Sequence, residues 1–351
     1  MAEEITVSSK RLQAEDTPEA VYELMLREGW SDGLPIIPPT PDRVQHMVEY
    51  IRRDPLEVIA YLNPEGGAAT VEKIAVNAVM AGCLPEYMPV LIAAVEALAE
   101  PDFNLHGIQT TTNPVAPLLI INGPIRNQTG INSGRGCLGP GWRANATIGR
   151  AVRLILMNVG GATPWTSDMA VHGMPGKYIF CMGENEEESI WEPLHVERGL
   201  RPDQSAVTVV GAQGTNNTLT FYKKPESILL MVAGAMANPG NNNFLLGGGN
   251  PLVIFTPGHL PLLVEQGFTT KQQVKEWLFE HSKIPKERFP QETSMIRYEE
   301  SSMLWQGDKA LVCRRPEDIL IAVAGGPEPY HITYCPSFGD TWAVTRPIVT
   351  T

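Results

Sequence analysis

Short apolar runs recur along this chain, and each is bounded by glycine, proline or asparagine. The clearest cover residues 116–122 (APLLIIN), 177–183 (KYIFCMG), 205–212 (SAVTVVGA), 251–257 (PLVIFTP) and 318–326 (DILIAVAGG). Continuous apolar runs of this length predict strands that are buried on both faces of a sheet.

Stretches with apolar residues at helical spacing separate the predicted strands. Threonine followed by proline marks two of their starts, because threonine caps a helix and proline suits its first position. The predicted helices cover 17–29, 40–52 and 71–83, and two more begin near Met88 and near Ala146. This alternation predicts an α/β fold with mixed or mostly parallel sheets and flanking helices.

One internal similarity bears on domain organisation. NPVAPLLIINGPI (113–125) resembles NPLVIFTPGHL (250–260), since each is Asn-Pro, an apolar strand and a turn containing glycine. A duplicated α/β unit with two pseudo-symmetric halves would explain this, and so would two ordinary junctions between a loop and a strand. Because no linker separates the halves, we predict one continuous body over 1–351. Within it we place an N-terminal helical segment and two halves at 1–54, 55–200 and 201–351.

Composition and charge narrow the classes of partner. Of the 351 residues 43% are hydrophobic, and the formal net charge is −12. A diffuse acidic surface argues against nucleic acid and anionic membranes, which need clustered Lys and Arg. Because the chain has no apolar run of about 18 residues and its start lacks a signal-peptide pattern, we expect a cytoplasmic location. Exposed-looking apolar and proline-rich segments favour a homo-oligomer.

The stretch GRGCLGPGWRANATIGRAVRLILMNVGG (134–161) is a candidate binding loop, since glycines lead into a helix. We expect Asn145 or Thr147 to cap this helix. Its first N–H groups and the Arg143 guanidinium would then hold a carboxylate or phosphate, beside Trp142 and Asn145. A tight structural turn and a weak match to the dinucleotide fingerprint are the alternatives.

The five cysteines have wide spacings and no C-x-x-C, which makes a disulfide framework or a structural zinc site improbable. Most would be buried packing residues. Cys137 lies in the glycine-rich loop, where a helix N-terminus and Arg143 would lower the thiol pKa and make it a candidate nucleophile. Cys83, at the end of a helix, is a similar candidate.

The acidic stretch GENEEESIWEPLHVERG (183–199) follows a predicted buried strand directly. Ligands of α/β sheets bind at the carboxyl ends of strands, where Glu184 and Asn185 lie. Crowding raises carboxylate pKa values, so Glu184 or Glu187, with His195, is a candidate acid–base pair. A solvated acidic helix is the alternative.

Four other histidines or amides complete the set of candidates. His106, His259 and His331 are predicted to fall in loops beside strands, and each is a candidate proton carrier. Asn113, just before the first strand, is a candidate for substrate binding. No cofactor is predicted, although a metal held by Glu and His side chains such as Glu192 and His195 is an open alternative.

Six stretches of the chain resemble a bacterial group, the UGSC-type (seleno)proteins, which are related to the substrate-specific selenoprotein B subunit of glycine reductase. They are WSDGLPIIPPT, VEKIAVNAVMAGC, FNLHGIQTTTNPVAPLLIINGP, GPGWRANATIGRA, GENEEESIWEPLHVERG and HITYCPSFGDTWAVTRPI. The resemblance covers nearly the whole chain. It implies a setting in which a thiol or selenol attacks a small carbon–heteroatom substrate. The motif positions carried over are Asp32, His106, Trp142, Arg143, Asn145, Glu184, Asn185, Glu192 and His195.

Three functions follow from these observations. The first is an enzyme that acts on a small anionic or carbonyl-bearing molecule by acid–base chemistry, with cysteine participation as an option; elimination, hydration, hydrolysis and reductive cleavage all fit. The second is a metal-dependent hydrolase or lyase. The third is a substrate-binding subunit for a separate thiol or selenol protein, because the chain contains no U-G-S-C or C-G-S-C tetrapeptide.

Overall fold

A computed structural model describes residues 9–292 and 302–350 of the chain. Most of its strands belong to two four-stranded sheets. The strands are β1 (Val58–Leu62), β2 (Gly67–Thr70), β3 (Ala116–Asn122), β4 (Cys181–Gly183), β5 (Ala206–Ala212), β6 (Asn216–Leu219), β7 (Leu252–Phe255), β8 (Ile284–Pro285), β9 (Trp305–Gln306), β10 (Lys309–Ala310), β11 (Leu320–Val323), β12 (His331–Cys335) and β13 (Val344–Pro347).

The helices begin where the sequence provides caps. Thr17 caps the first, since its hydroxyl accepts the N–H of Ala20, and Pro18 occupies the first helical position as expected. The helices are α1 (Pro18–Arg27), α2 (Pro41–Ile51), α3 (Val71–Ala81), α4 (Met88–Leu98), α5 (Leu105–Thr110), α6 (Ile125–Thr129), α7 (Arg143–Asn158), α8 (Leu194–Glu197), α9 (Pro225–Met236), α10 (Asn242–Leu245), α11 (His259–Val264) and α12 (Lys271–His281).

The two large sheets have the same pattern of strand directions. In the first, with order β4-β3-β5-β13, β3 is parallel to β4 and antiparallel to β5. In the second, with order β11-β7-β12-β6, β7 is parallel to β11 and antiparallel to β12. The α/β class with mixed sheets is therefore confirmed.

The two sheets exchange one edge strand each. The exchanged strand follows a strand of one sheet in the sequence but pairs with a strand of the other sheet. β6 follows β5 but pairs with β12, whereas β13 follows β12 but pairs with β5. The two segments that cross between the sheets meet where the Gln213 N–H donates to the Pro336 carbonyl at 2.7 Å. The duplicated unit and its halves stay a prediction, and the proposed boundary at residue 200 precedes β5, a strand of the first sheet.

The sheets pack face to face between two layers of helices. Along β3, Leu118 and Ile120 point toward the second sheet, whereas Leu119 and Ile121 join the cluster that contains residues of α3, α4 and α7. The residues of β7 alternate in the same way, and its outer face packs with α9 and α12. This alternation follows from the two-residue period of a strand, and it explains why both sheets read as continuous apolar runs.

The carboxyl ends of the parallel strands of the two sheets meet. The Asn185 N–H, just after β4, donates to the Val323 carbonyl of β11 at 2.7 Å. The Gly325 N–H, just after β11, donates to the Ser133 carbonyl at 2.9 Å. Loops from both sheets therefore converge at this edge, where α/β folds commonly bind ligands.

Two predicted element bounds are wrong for local reasons. α7 begins at Arg143 with Trp142 at its N-cap, three residues before the expected Ala146, so Asn145 and Thr147 lie inside the helix. The strand expected at 177–183 is limited to Cys181–Gly183, because Pro175 and Gly176 form a 3-10 turn just before it. Within the described residues, no helix is both long and apolar enough to span a bilayer.

Candidate functional site

The glycine-rich loop before α7 lies at the surface, and its arginine already has a partner. Arg143 donates from Nε and Nη2 to the carbonyl of Gly82, which ends α3, at 3.1 and 2.9 Å. Trp142 is about half exposed. The guanidinium therefore caps a neighbouring helix in this structure, in place of the anion that the sequence suggests.

Asn145 ties the same loop to the body of the protein. Its buried amide oxygen accepts the Asn132 N–H at 2.8 Å, and its amide nitrogen donates to the carbonyls of Asn132 and Cys137 at 2.9 and 3.1 Å. All these bonds are internal, so the side chain fixes the loop.

The cysteines are buried, and burial changes their acidity in the direction opposite to that expected. Desolvation raises the pKa of Cys83 to about 12 and that of Cys137 to about 11. The Thr147 hydroxyl and the Arg143 charge lower the pKa of Cys83, but less than burial raises it. The expected lowering at Cys137 is wrong because its thiol packs in the core.

Three further candidates lie away from the acidic stretch. Asp32 accepts two bonds from Arg150 of α7, both at 2.8 Å, and so joins the N-terminal segment to that helix. Asn113 bonds the neighbouring Thr111 hydroxyl at 3.1 Å, and His106 is exposed on α5. The structure does not bring these three side chains together.

Glu184 is the centre of a buried polar group at the carboxyl end of β4. Its Oε2 accepts the Asn122 amide and the Leu194 N–H, both at 2.7 Å. Its Oε1 accepts the Val323 N–H of the other sheet at 3.3 Å. One carboxylate thus joins β3, β11 and α8, and it is completely buried.

Two buried lysines on α12 face this carboxylate and a second one. The Lys271 ammonium lies 3.5 Å from both Glu184 Oε1 and Glu197 Oε2. Lys275, one turn later, bonds Glu197 Oε1. The charges balance, and Glu197 reaches solvent with about a fifth of its side chain.

The backbone of His195 adjoins this group, and the residue is 0% exposed. It follows Leu194, whose N–H bonds Glu184. Neither ring nitrogen has a hydrogen-bond partner in the described part of the chain, and the amide oxygen of Asn122 has none there either. We call this group the strand-end cluster; its members are Asn122, Glu184, His195, Glu197, Lys271 and Lys275.

Arg126 of α6 holds the part of the acidic stretch that follows Glu184 directly. Its guanidinium bonds both Glu187 oxygens, at 2.9 and 3.1 Å, and the Glu184 carbonyl at 2.6 Å. The hydrogen bonds from Arg126 lower the pKa of Glu187 to about 2, although its side chain is more than half exposed. Glu187 therefore stays ionised, and Asn185 is held by its backbone bond to Val323.

An open groove of about 270 Å³ is lined by residues that follow β3 and β13 and by residues that precede β5. Pro124, two residues after Asn122, forms part of its wall with Gln128 and Ser205. The groove is large enough for a small molecule.

The sequence predicts a site that contains Glu184, Asn185, Glu187 and His195. It does not identify four further residues that the structure adds, which are Asn122, Arg126, Lys271 and Lys275. Lys271 did carry a signal, because it begins α12, where the helix dipole disfavours a cation without an acidic partner. Asn122 carried one too, as the polar residue that ends an apolar run. Which carboxylates they meet depends on how the sheets pack.

Within residues 9–292 and 302–350, no three His, Cys, Asp or Glu side chains form a group that could hold a metal ion. Comparisons found no family model, curated protein or solved structure with significant similarity to the chain. The resemblance to UGSC-type proteins therefore stays a prediction.

Proposed function

We propose that this protein is an enzyme that acts on a small anionic or carbonyl-bearing molecule by acid–base chemistry at the strand-end cluster. The observation that carries the proposal is the His195 ring, which is fully buried and has no partner at either nitrogen among the described residues. An unpaired buried polar group costs about 1–3 kcal/mol. Each such group in a native protein needs an explanation, and a catalytic role is the one we propose here.

Members of the cluster from three different elements contact the substrate in this proposal. His195 transfers the proton, since imidazole is the usual general acid or base near neutral pH. Lys271, whose contacts with Glu184 and Glu197 are both 3.5 Å long, donates to a carboxylate or a developing oxyanion of the substrate. The Asn122 amide oxygen, which has no partner among the described residues, accepts a hydrogen bond from a hydroxyl of the substrate.

Glu184 is a positioning residue in this scheme. Its oxygens hold the Asn122 amide and the Leu194 N–H, the second of which fixes the backbone that carries His195. The groove beside Pro124 gives a substrate a place to approach this end of β3. Elimination, hydration and hydrolysis are the reaction classes that this set of groups serves without a cofactor.

The test is a turnover screen with purified full-length protein. Small 2-hydroxy, 2-oxo and 2,3-unsaturated carboxylic acids are incubated singly and followed by proton NMR. We expect conversion of at least one acid, and a loss of about 100-fold or more in the His195→Gln variant, in line with the usual contribution of a general acid or base. His46→Gln, at an exposed position on α2, is the matched control and should retain the rate.

Two results would contradict the proposal: no conversion of any acid, or equal rates for wild type and His195→Gln. A reduced rate in His195→Gln together with an unchanged rate in His46→Gln would show that the loss arises at the cluster and not from the removal of any histidine.

One observation favours a second function, that of a subunit that presents substrate to a separate thiol or selenol protein. The cysteines Cys83, Cys137, Cys181, Cys313 and Cys335 are all buried, and burial raises the pKa of each thiol. A thiolate step would then need an external thiol. Conversion only when dithiothreitol is added would support this function, whereas conversion without it supports the first.

A further inference from the structure

The outer edge of β6 differs from the outer edge of β13, the other exchanged strand. Each of these strands has one neighbouring strand among the described residues. β13 carries Arg346 and Pro347, and both residue types discourage a further strand from pairing with a sheet edge. β6 carries no such residue, and the chain has no charged side chain between 205 and 222. The edge of β6 is therefore open to pairing with another strand.

The backbone of β6 supplies the groups that such pairing needs. The Thr220 N–H donates to the Tyr330 carbonyl at 2.9 Å, so the backbone of Thr220 points toward the chain that leads into β12. In an antiparallel pair, residues that point toward the neighbouring strand alternate with residues that point away from it. The N–H and C=O groups of Asn217 and Leu219 therefore point away from β12, where no described strand lies.

Exposed apolar side chains surround this edge. The rings of Phe221 and Tyr330 are in contact, with their centroids 5.6 Å apart. Helix α9 packs on β6 and β12, and its Leu230 and Met231 face the solvent. We use the name β6 face for six side chains that are between 40% and 67% exposed, which are Leu219, Phe221, Tyr222, Leu230, Met231 and Tyr330.

The area of the β6 face is that of an interaction site. At about 200 Å² for a whole large side chain, the six side chains present roughly 600 Å² to solvent. The largest apolar patch of a typical monomer is about 300–600 Å² and is often functional. One side of a standard protein interface covers about 800 Å², and the backbone edge of β6 adds to the area of the side chains.

The chemistry of the β6 face favours a second copy of the chain as its partner. The charged residues between 205 and 236 are Lys223, Lys224 and Glu226, so this stretch lacks both the basic cluster that nucleic acid requires and the acidic excess of the whole chain. Two chains of net charge −12 can therefore meet here without bringing acidic surfaces together. Insertion into lipid would leave the outward N–H and C=O groups of β6 without partners.

We propose that two copies of the chain associate through the β6 face, with the two β6 strands antiparallel about a two-fold axis. Such an axis makes the same surface of each copy self-complementary, so each outward N–H meets a carbonyl of the other copy. The two four-stranded sheets then form one continuous sheet, and the exposed side chains of the β6 face lose their contact with water. This association does not depend on the chemistry at the strand-end cluster.

Sedimentation velocity of the purified full-length protein at micromolar concentrations tests the proposal. We expect wild type to be a dimer and the double variant Leu219→Lys, Leu230→Glu to be a monomer, because a lysine blocks edge pairing and a buried unpaired carboxylate is costly. Both positions are about half exposed in the single chain, so the double variant should still fold. The matched control is Trp165→Glu, at an exposed apolar position outside the β6 face, which should remain a dimer.

A monomeric wild type would overturn the proposal, as would a double variant that remains a dimer. If circular dichroism shows that the double variant does not fold, hydrogen exchange of wild type gives the answer. The peptide that contains β6 should exchange at least about tenfold more slowly in a concentrated sample than in a sample diluted until the dimer dissociates, because opening of the edge then requires dissociation. Equal exchange rates of this peptide in the two samples would contradict pairing through β6.

Discussion

Among single residues, His259 shows how burial controls protonation. It is completely buried at the start of α11, and its Nδ1 lies 2.7 Å from the Thr256 hydroxyl. That hydroxyl donates to the Glu328 carbonyl, so it accepts the Nδ1 proton. Nε2 has no partner among the described residues. Burial, helped by the charges of His331 and Lys223, lowers the pKa of His259 to about 4.

This residue should make stability depend on pH. The unfolded chain binds a proton at His259 near its ordinary pKa of about 6.5, whereas the folded chain binds it only near pH 4. The unfolded state therefore gains protons first, and stability that is fully present above pH 6.5 falls as the pH drops toward 4. The contribution is about 3 kcal/mol over this window.

Urea unfolding of wild type and His259→Gln at several pH values checks this expectation. The variant should lose about 3 kcal/mol less between pH 7 and pH 4 than wild type does. His46→Gln, on the exposed side of α2, should keep the wild-type slope. Parallel slopes for wild type and His259→Gln would show that burial does not hold this ring neutral.

Residue types and local order predict part of the candidate site. Glu184 and His195 were foreseeable because a polar residue after a buried strand marks the ligand edge of an α/β sheet. Their partner Lys271 was not, since it comes from a helix 87 residues away and meets Glu184 only when the sheets pack. The bond from Arg143 to the Gly82 carbonyl was not foreseeable either, because it joins residues 61 positions apart in the chain.

At the scale of elements, the hydrophobic pattern predicts best where turn residues flank it. β3 runs over the predicted 116–122, because Asn-Pro precedes it and Asn-Gly follows. β4 is shorter than its apolar run for two reasons. A turn begins at Pro175, and the residues that follow it, Tyr178 and Ile179, are exposed. Apolar residues that lie on the surface therefore lengthen a predicted strand beyond the real one.

Two helical glycines give a matched test of element packing. A Cβ on Gly149 of α7 would lie 2.8 Å from the backbone nitrogen of Phe180, whereas one on Gly234 of α9 would meet nothing within 4 Å. Alanine favours a helix by about 1 kcal/mol over glycine. Gly234→Ala should therefore stabilise the protein by about 0.5–1 kcal/mol.

Gly149→Ala should instead destabilise it by about 1–3 kcal/mol, the usual cost of overpacking a core. The clash is with backbone, which cannot move aside as a flexible side chain can. Free energies of urea unfolding measure both effects. Stabilisation by Gly149→Ala would mean that α7 and the chain before β4 pack less closely than described.

For the whole molecule, the four layers bury every cysteine, and this governs thiol reactivity. We expect none of the five thiols of the native protein to react readily with Ellman's reagent, and all five to react after denaturation in guanidinium chloride. One thiol that reacts rapidly in the native state would contradict the burial described here, and labelling followed by peptide mapping would identify it.

The strand-end cluster should affect the stability of the whole protein through His195. A buried histidine whose ring nitrogens have no hydrogen-bond partner in the described part of the chain lowers stability, and such a cost is typical of a residue kept for chemistry. Replacing it with an apolar side chain of similar size should relieve that cost. A histidine that merely supports the fold would show the opposite effect.

The most direct measurement is the free energy of urea unfolding of His195→Leu against wild type at pH 7.5, with His46→Leu as the surface control. We predict that His195→Leu is more stable than wild type by about 1–2 kcal/mol, the desolvation cost of an unpaired polar group. The control should stay within about 0.5 kcal/mol. Destabilisation of His195→Leu by 1 kcal/mol or more, on the order of a lost hydrogen bond, would mean that His195 is a structural residue and would contradict the proposed site.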